Sequence, residues 1–354
     1  MRYQLTVYSI QEQGKRANQE DSLFPALNQQ NDYDRLFVLC DGMGGHAKGE
    51  VASATVCEAI SASVKQMCPD PEGVFTDEML LQAINDAFDS LDAVDPDDGS
   101  LKKMGTTMTF LKLHADGATI AHMGDSRVYH VRPGRTPEET RILFVTEDHS
   151  LVNDLVKIGE LTPEEARTSK QKNVITRAMQ PHMERRPRAD IYHTVDIRPG
   201  DYFFLCSDGI LERWDDYNVR NCFSYSYGDD LTRVQNIIDE TRDNSDNHTA
   251  IIVKILDVEG AAATPMNNDV YGGQPVYYEN TMSAYGQNPD LSQQSPQNQF
   301  PQRQQEPLNN SQIDATTQPL QAKPKTSNSI LWFWVMLTVI VVLLAVFIFM
   351  LVKN

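Results

Sequence analysis

Acidic residues stand at or beside the ends of apolar, strand-like runs in the first 258 residues of this sequence. They are Glu20, Asp21, Asp41, Asp125, Asp208 and Asp246. Any one of them alone indicates little, because aspartate before glycine at a strand end is also an ordinary turn signal. Several such acids on one domain favour a shared site, and converging carboxylates are the ligands that hard divalent cations prefer. The sequence therefore predicts a metal centre made of oxygen ligands.

The glycine-rich turn LCDGMGGHAKGE, residues 39–50, permits two other interpretations. A phosphate-binding P-loop requires Gly-Lys-Ser/Thr, whereas the sequence at that place is Gly-Glu-Val. A dinucleotide-binding turn is matched by Gly42, Gly44 and Ala47. Its partner acid, however, should close a second strand about 20 residues later, and no strand-like run follows there. A nucleotide-binding oxidoreductase is therefore the weaker hypothesis, and a metal-binding turn is favoured.

Strand-like and helix-like patterns alternate along residues 1–257 and must position these acids. Seven runs rich in Val, Ile, Phe, Tyr and Thr are predicted strands: Leu5–Ile10, Arg35–Cys40, Thr106–Leu113, Thr119–His122, Arg127–Arg132, Tyr202–Cys206 and Thr249–Leu256. Three segments are predicted helices: Glu50–Met67, Asp77–Leu91 and Leu231–Thr241. Because strands follow one another with few crossover helices, the predicted fold class is α+β, with antiparallel sheets and helices packed outside.

The composition limits the compartment and the partners. The 354 residues carry a formal net charge of −18, which disfavours nucleic acid as a partner because the phosphate backbone would be repelled. The five cysteines include no Cys-x-x-Cys pair, so buried, reduced thiols in the cytosol are expected. The first residues contain no apolar run of signal-peptide length.

The sequence changes character after the predicted domain. Residues 258–329 are dominated by Gln, Asn, Pro and Ser and are predicted to be a disordered linker. Residues 330–352 contain no charged residue and, as a helix, would reach roughly 35 Å, enough to span a hydrocarbon core of about 30 Å. Lys323 and Lys325 precede this segment and Lys353 follows it, a bias that predicts a cytoplasmic N-terminal side.

Eight stretches together resemble one known family. They are GKRANQEDSLF, LFVLCDGMGGHAKGEVAS, GTTMTFLKL, AHMGDSRVYHVR, TEDHSLVNDLVKIGELTPEEA, NVITRAM, DYFFLCSDGILE and DNHTAIIV. Their order and spacing resemble the metal-dependent type 2C protein phosphatases, the PPM family, in their bacterial form. The resemblance extends from about Leu5 to Leu256. It implies a sandwich of two packed antiparallel sheets with helices on both outer faces, and Mn²⁺ or Mg²⁺ as cofactor, with two or three ions.

The resemblance also implies roles for single residues. Asp41 would bridge two metal ions, and the carbonyl of Gly42 would be a further ligand, since glycine lets the backbone come close. Asp208 and Asp246 would complete the site of the first ion.

Further acids and one arginine complete the implied site. Glu20 would serve the second ion through water, and Asp21 would orient a water on that ion. Asp125 would bind a third, weaker ion together with Asp208. Arg16 occupies the place of the family's phosphate-binding arginine, where a planar guanidinium suits two phosphate oxygens.

One position departs from the family pattern. Some members have histidine directly after the Asp-Gly pair as a proposed general acid, and this sequence has Met43, which cannot donate a proton. His46 lies nearby and is the candidate for acting through water. Residues 147–179 resemble the bacterial flap beside the active site, and within them His149 is expected to form local hydrogen bonds rather than to catalyse.

The sequence thus predicts a membrane-tethered phosphatase with a cytoplasmic catalytic domain. Its substrates would be proteins phosphorylated on serine or threonine, and it would oppose a bacterial Ser/Thr kinase in the membrane. The alternative is a catalytically inactive sensor or scaffold with the same fold, which the presence of every expected acid disfavours.

Overall fold

The computed structural model describes residues 1–44, 48–95 and 104–260. The strands are β1 (Arg2–Glu12), β2 (Asp21–Phe24), β3 (Leu36–Met43), β4 (Gly105–Thr106), β5 (Met108–His114), β6 (Gly117–Met123), β7 (Arg127–Arg132), β8 (Arg141–Val145), β9 (Asp190–Thr194), β10 (Tyr202–Cys206) and β11 (His248–Glu259). The helices are α1 (Lys48–Met67), α2 (Asp77–Val94), α3 (Leu151–Lys157), α4 (Pro163–Thr168), α5 (Asp208–Leu211), α6 (Asp216–Phe223) and α7 (Asp230–Thr241).

Two antiparallel sheets form the centre of the fold. One has the strand order β1-β11-β10-β7-β8, and the other has the order β2-β3-β5-β6-β9, with β4 paired to β3. An apolar layer that includes Phe37, Leu111, Phe203 and Ile251 fills the space between the sheets. The predicted arrangement of two packed sheets flanked by helices is thereby confirmed.

Each outer face of the sandwich is covered by helices. Helix α1 places Ala52, Val56, Ile60 and Val64 four residues apart on one buried face, which packs with α2 over β3 and β5. Helices α5, α6 and α7 cover the other sheet through a cluster that includes Trp214. Because β3 has an apolar layer on each side, its run LFVLC is buried at every position rather than alternating.

The seven predicted strands and three predicted helices are all present, with ends shifted by a few residues. Sequence patterns missed β2, β8 and β9, since β2 has only four residues and the other two are less buried strands at sheet edges. The predicted strand Thr106–Leu113 is divided between β4 and β5. The helices α3 to α6 were also missed, because they are too short to show a helical periodicity. The last strand continues to Glu259, two residues past the predicted domain end.

Three sequence predictions fall outside the described residues: the general acid candidate His46, the linker from residue 261 onward and the membrane span 330–352. In the part of the chain that is described, no helix combines the length and the apolar character needed to cross a bilayer.

Candidate metal centre

The end of β3 carries two of the predicted ligands into the middle of the site. Asp41 lies directly opposite Asp21 in the antiparallel ladder between β3 and β2. Gly42 follows, and a Cβ atom there would lie 2.2 Å from the carbonyl oxygen of Gly49 and 2.5 Å from that of Glu20. Only glycine therefore lets the end of β3 pass between the start of α1 and the strand that follows Glu20.

The first sheet brings two further acids to the same edge. Asp208 is the first residue of α5, directly after β10, and Asp246 lies just before β11, which pairs with β10. The two loops touch, because a Cβ on Gly209 would lie 1.9 Å from the carbonyl oxygen of Asn247. The side-chain amide of Asn244 also donates to the carbonyl of Gly209 at 2.6 Å.

Asp125 reaches the site from the turn between β6 and β7. Gly124, which precedes it, has a φ of +109°, and a Cβ there would lie 2.5 Å from Cγ2 of Thr107. The Thr107 hydroxyl accepts the backbone N–H of Asp41 at 3.0 Å and lies 2.8 Å from the hydroxyl of Ser126. The turn that carries Asp125 is thus packed against the residue that supports Asp41.

The mutual electrostatics of the acids show that they converge. Burial raises the pKa of Asp41 well above its usual range, and the neighbouring carboxylates raise it further; these are Asp21, Asp208, Asp125 and Asp246. Burial also raises the pKa of Asp21 and Asp125 to about 7 and that of Asp208 to about 6. These groups therefore hold a proton more readily than an exposed aspartate does, and a cation placed among them would relieve the same burial and repulsion.

Three of these acids have a buried carboxylate oxygen without a hydrogen-bond partner: Asp21 Oδ1, Asp125 Oδ1 and Asp208 Oδ1. A buried anionic oxygen is costly unless it is paired or ligates a metal. Because all the donors here are carboxylate or carbonyl oxygens, they fit Mg²⁺ or Mn²⁺ rather than a soft ion. The residues at this edge are therefore chemically suited to the predicted ions.

Arg16 and Glu20 border the acids on the side of the N-terminal loop. The Arg16 guanidinium lies 2.6 Å from Asp246 Oδ2 and 3.7 Å from Glu20 Oε2, and half of its side chain is exposed. Asn247 holds this loop in place, since its Oδ1 accepts the N–H of Glu20 at 2.8 Å. Its amide group also donates to two carbonyl oxygens of residues 13 and 18. The positively charged guanidinium of Arg16 therefore lies within reach of any anion that enters the site.

Three supporting residues were not identified from the sequence. Ser207 donates to Asp21 Oδ2 at 2.9 Å, and Thr107 supports Asp41 as described above. The carboxylate of Glu212 accepts the N–H and the hydroxyl of Ser245, both at 2.8 Å, and so fixes the loop that carries Asp246. The sequence offers a signal for two of them only: Ser207 and Glu212 lie close in the chain to the Asp-Gly pair of LCSDGILE.

A second group has the spacing of metal ligands. The ligand atoms of His122, His149 and Asp190 lie within 4.8 Å of one another. The two imidazole rings are stacked, with centroids 4.4 Å apart and an angle of 11° between the planes, so their nitrogen lone pairs run in parallel planes rather than converging on one point. His122 Nε2 bonds the carbonyl of Glu147 at 2.9 Å, and His149 Nε2 bonds Asp190 at 3.0 Å. This group is better described as a hydrogen-bonded network than as a metal site.

The residue after the Asp-Gly pair, Met43, is half-buried and pairs with Gly105 across the short ladder between β3 and β4. It supplies no proton donor. The assignment of His46 stays a prediction, because that residue lies outside the described part of the chain.

Comparison with known proteins gives one consistent result. Residues 12–252 match the family described as protein phosphatase 2C. Over 204 residues the chain is 35% identical to the serine/threonine protein phosphatase PstP of Mycobacterium tuberculosis, a match that covers 58% of this chain and 36% of that protein. Over 209 residues it is 33% identical to the protein phosphatase PhpP of Streptococcus pneumoniae, covering 58% of this chain and 79% of that protein. The chain thus spans about a third of the length of the mycobacterial relative.

Solved structures agree with this match. The crystal structure of the M. tuberculosis PstP phosphatase superposes with a TM-score of 0.59 at 30% identity, covering 72% of this chain and all of that one. A second structure, the catalytic domain of a PstP in complex with two manganese ions, gives a TM-score of 0.57 at 29% identity with the same coverage.

Proposed function

Because the chain belongs to the protein phosphatase 2C family, we propose that it hydrolyses phosphoserine and phosphothreonine in proteins with Mn²⁺ or Mg²⁺ as cofactor. The observation that carries the proposal is the convergence of five aspartates, three of which have an unpartnered buried oxygen. Such a cluster repels its own charge and is stabilised when cations occupy it. Every acid of the family pattern is present, which argues against the inactive sensor or scaffold.

We assign the ligands from position and chemistry together. Asp41 is central and would be shared between two ions, with Asp208 and Asp246 on one side and Glu20 and Asp21 on the other. Asp125 would hold a third ion with Asp208, and the Gly42 carbonyl would be a further ligand. When bound, the ions supply positive charge against the phosphate and activate water near neutral pH.

The protein's own groups bind and orient the substrate. Arg16 would form two hydrogen bonds to the phosphate oxygens, since its guanidinium is already at the edge of the cluster. Asn247, Thr107, Ser207 and Glu212 keep the acids in place through the bonds described above. A protein donor for the leaving oxygen is proposed only at His46, because Met43 has no proton to give.

The test is hydrolysis of phosphothreonine, phosphoserine and phosphotyrosine peptides with added Mn²⁺, compared with the same protein in EDTA. We expect release of phosphate from the first two substrates only, and only with metal. Asp246→Asn should abolish the activity, whereas Glu58→Gln, which neutralises an exposed acid on α1, should leave it unchanged. Equal activity in EDTA and Mn²⁺ would contradict the proposal.

We further propose that residues 330–352 tether the enzyme to the membrane, with the catalytic domain on the cytoplasmic side and a membrane Ser/Thr kinase among its substrates. A linker of about 70 residues would give a root-mean-square reach of roughly 45 Å, which raises the effective concentration against membrane phosphoproteins. A chain ending at residue 260 should be soluble and fully active on peptides but slower on a membrane-embedded phosphoprotein. Recovery of the full chain in the soluble fraction would exclude the tether.

A further inference from the structure

The turn that carries Asp125 is held by a residue to which the proposed mechanism assigns no role. His149 bonds both backbone groups of Gly124, the residue before Asp125. The backbone N–H of His149 donates to the Gly124 carbonyl at 2.9 Å. The backbone N–H of Gly124 in turn donates to the ring nitrogen Nδ1 of His149 at 3.2 Å. Both contacts are made to Gly124, whose positive φ already makes this turn dependent on glycine.

The chemistry of the contact fixes the tautomer of His149. A backbone N–H can only donate, so Nδ1 must be the unprotonated nitrogen and Nε2 must carry the hydrogen. Nε2 lies 3.0 Å from Asp190 Oδ2, an acceptor that requires this same tautomer. Asp190 is itself held by Arg177, whose Nη1 donates to Oδ1 at 2.7 Å.

A second imidazole braces the ring. His122 stacks on His149, and its Nε2 bonds the carbonyl of Glu147, which can only accept. Burial, and then the neighbouring His149, lower the pKa of His122 to about 4, so His122 stays neutral. The plane of the His149 ring is thus set from one side by packing and at its two nitrogens by hydrogen bonds.

His149 also lies where residues 147–179 begin and end. Its carbonyl accepts the N–H of Thr176 at 2.8 Å, and Ser150 pairs with Ile175. Both ends of this segment are therefore joined at the residue that bonds Gly124. A displacement of either end of the segment would therefore also displace the turn that carries Asp125.

We propose that His149 is a positioning residue for Asp125: by holding Gly124 it aims the Asp125 carboxylate, whose Oδ1 has no hydrogen-bond partner, and so sets the affinity of the third, weaker cation. This inference rests on the proposed metal centre. Asp190 acts one step further away by accepting the hydrogen on Nε2, which selects the tautomer of the neutral ring that has Nδ1 as the acceptor.

Two substitutions of His149 test the contributions of its two ring nitrogens separately. His149→Asn keeps an acceptor oxygen at the same number of bonds from Cα as Nδ1 but loses the group that bonds Asp190. His149→Gln keeps an amide donor near the place of Nε2 but loses the acceptor for Gly124. The matched control is His193→Gln, at a half-exposed histidine that also contacts an aspartate, Asp77, at 3.0 Å.

The experiment is calorimetric titration of the full chain with Mn²⁺ in each variant, with thermal unfolding measured alongside. Losing one hydrogen bond should weaken the weakest Mn²⁺ site about 3- to 10-fold in His149→Gln. His149→Asn and His193→Gln should bind as the wild type does. Asp125→Ala should remove that site, and adding His149→Gln to it should have no further effect on the remaining sites.

Four outcomes would overturn the inference in distinguishable ways. Wild-type Mn²⁺ binding in His149→Gln, with a clear loss in Asp125→Ala, would show that His149 does not position the acid. Equal losses in the Asn and Gln variants would show that only the fold around the ring matters. Unchanged binding in Asp125→Ala would remove Asp125 from the metal centre, and absence of Mn²⁺ binding by the wild type would refute the proposed function itself.

Discussion

Raising the pH should destabilise the protein when divalent metal is removed, in contrast to proteins whose aspartates are ion-paired. An unfolded aspartate titrates near pH 3.9 and is therefore ionised at neutral pH. In the fold, burial and mutual repulsion raise the pKa of Asp21 and Asp125 to about 7 and that of Asp208 to about 6. The folded chain thus holds protons that the unfolded chain has released.

The sign and size of the effect follow from this difference in bound protons. The stability that these protons supply is complete below about pH 4 and is lost as the pH rises through 6 and 7. Two buried histidines act in the opposite direction, because burial lowers the pKa of His114 and His122 to about 4 while the unfolded chain takes up protons at them below about pH 6.5. Together these groups should make the free energy of unfolding fall by about 1–2 kcal/mol between pH 6 and pH 8.

The assay is urea unfolding in EDTA at pH 6, 7 and 8, repeated with saturating Mn²⁺. With metal present the slope should reverse, because cations replace the protons and bind more tightly as the acids ionise. Asp125→Asn should remove most of the decrease in EDTA, because a carboxyl that titrates near pH 7 accounts for about 1.4 kcal/mol of it between pH 6 and pH 8, whereas the control Glu58→Gln should not change it. A free energy of unfolding in EDTA that stays constant or rises from pH 6 to pH 8 would refute the reasoning.

Three further predictions concern single residues of the site. Asp208→Asn should abolish hydrolysis even at saturating Mn²⁺ while the far-ultraviolet circular dichroism stays unchanged, and near-normal turnover would contradict its assignment as a ligand. Arg16→Ala should raise KM more than it lowers kcat, since a group that clamps the phosphate binds the ground state as well; an unchanged KM in steady-state kinetics would exclude that role. Gly42→Ala should lower both Mn²⁺ affinity and the free energy of unfolding, the latter by about 1–3 kcal/mol, because the new Cβ would meet backbone at 2.2 Å; calorimetry and urea unfolding would detect either change.

The sequence allowed the central strands and the acids to be predicted for a specific physical reason. Strands such as β3 and β10 are buried on both faces, so they appear as continuous apolar runs that end in Asp-Gly. Asp41 and Asp208 could be recognised from that pattern, and the antiparallel class followed from the succession of strands.

The supporting contacts could not be predicted in the same way, because they join residues that are distant in the chain. Thr107 supports Asp41 across 66 positions, and Ser207 donates to Asp21 across 186. The contact of His149 with Gly124 likewise depends on a register between two elements that no local pattern encodes. Short edge strands were missed because a few half-exposed residues carry too little periodicity to be distinguished from a loop.

The long antiparallel ladder between β1 and β11 defines two opposite ends of the domain. Arg2 pairs with Glu259 at one end and Glu12 pairs with His248 at the other, so the first residue and residue 260 lie side by side. The acids gather next to His248, and eleven steps along β11 separate that end from Glu259 by roughly 35 Å. Residue 260 therefore lies at the end of the domain opposite the acids, and a fusion partner engineered at that residue would be attached away from them. A fluorescent label placed at Met1 would lie at the same end, and immobilisation through either point would leave the edge that carries the acids open to large molecules.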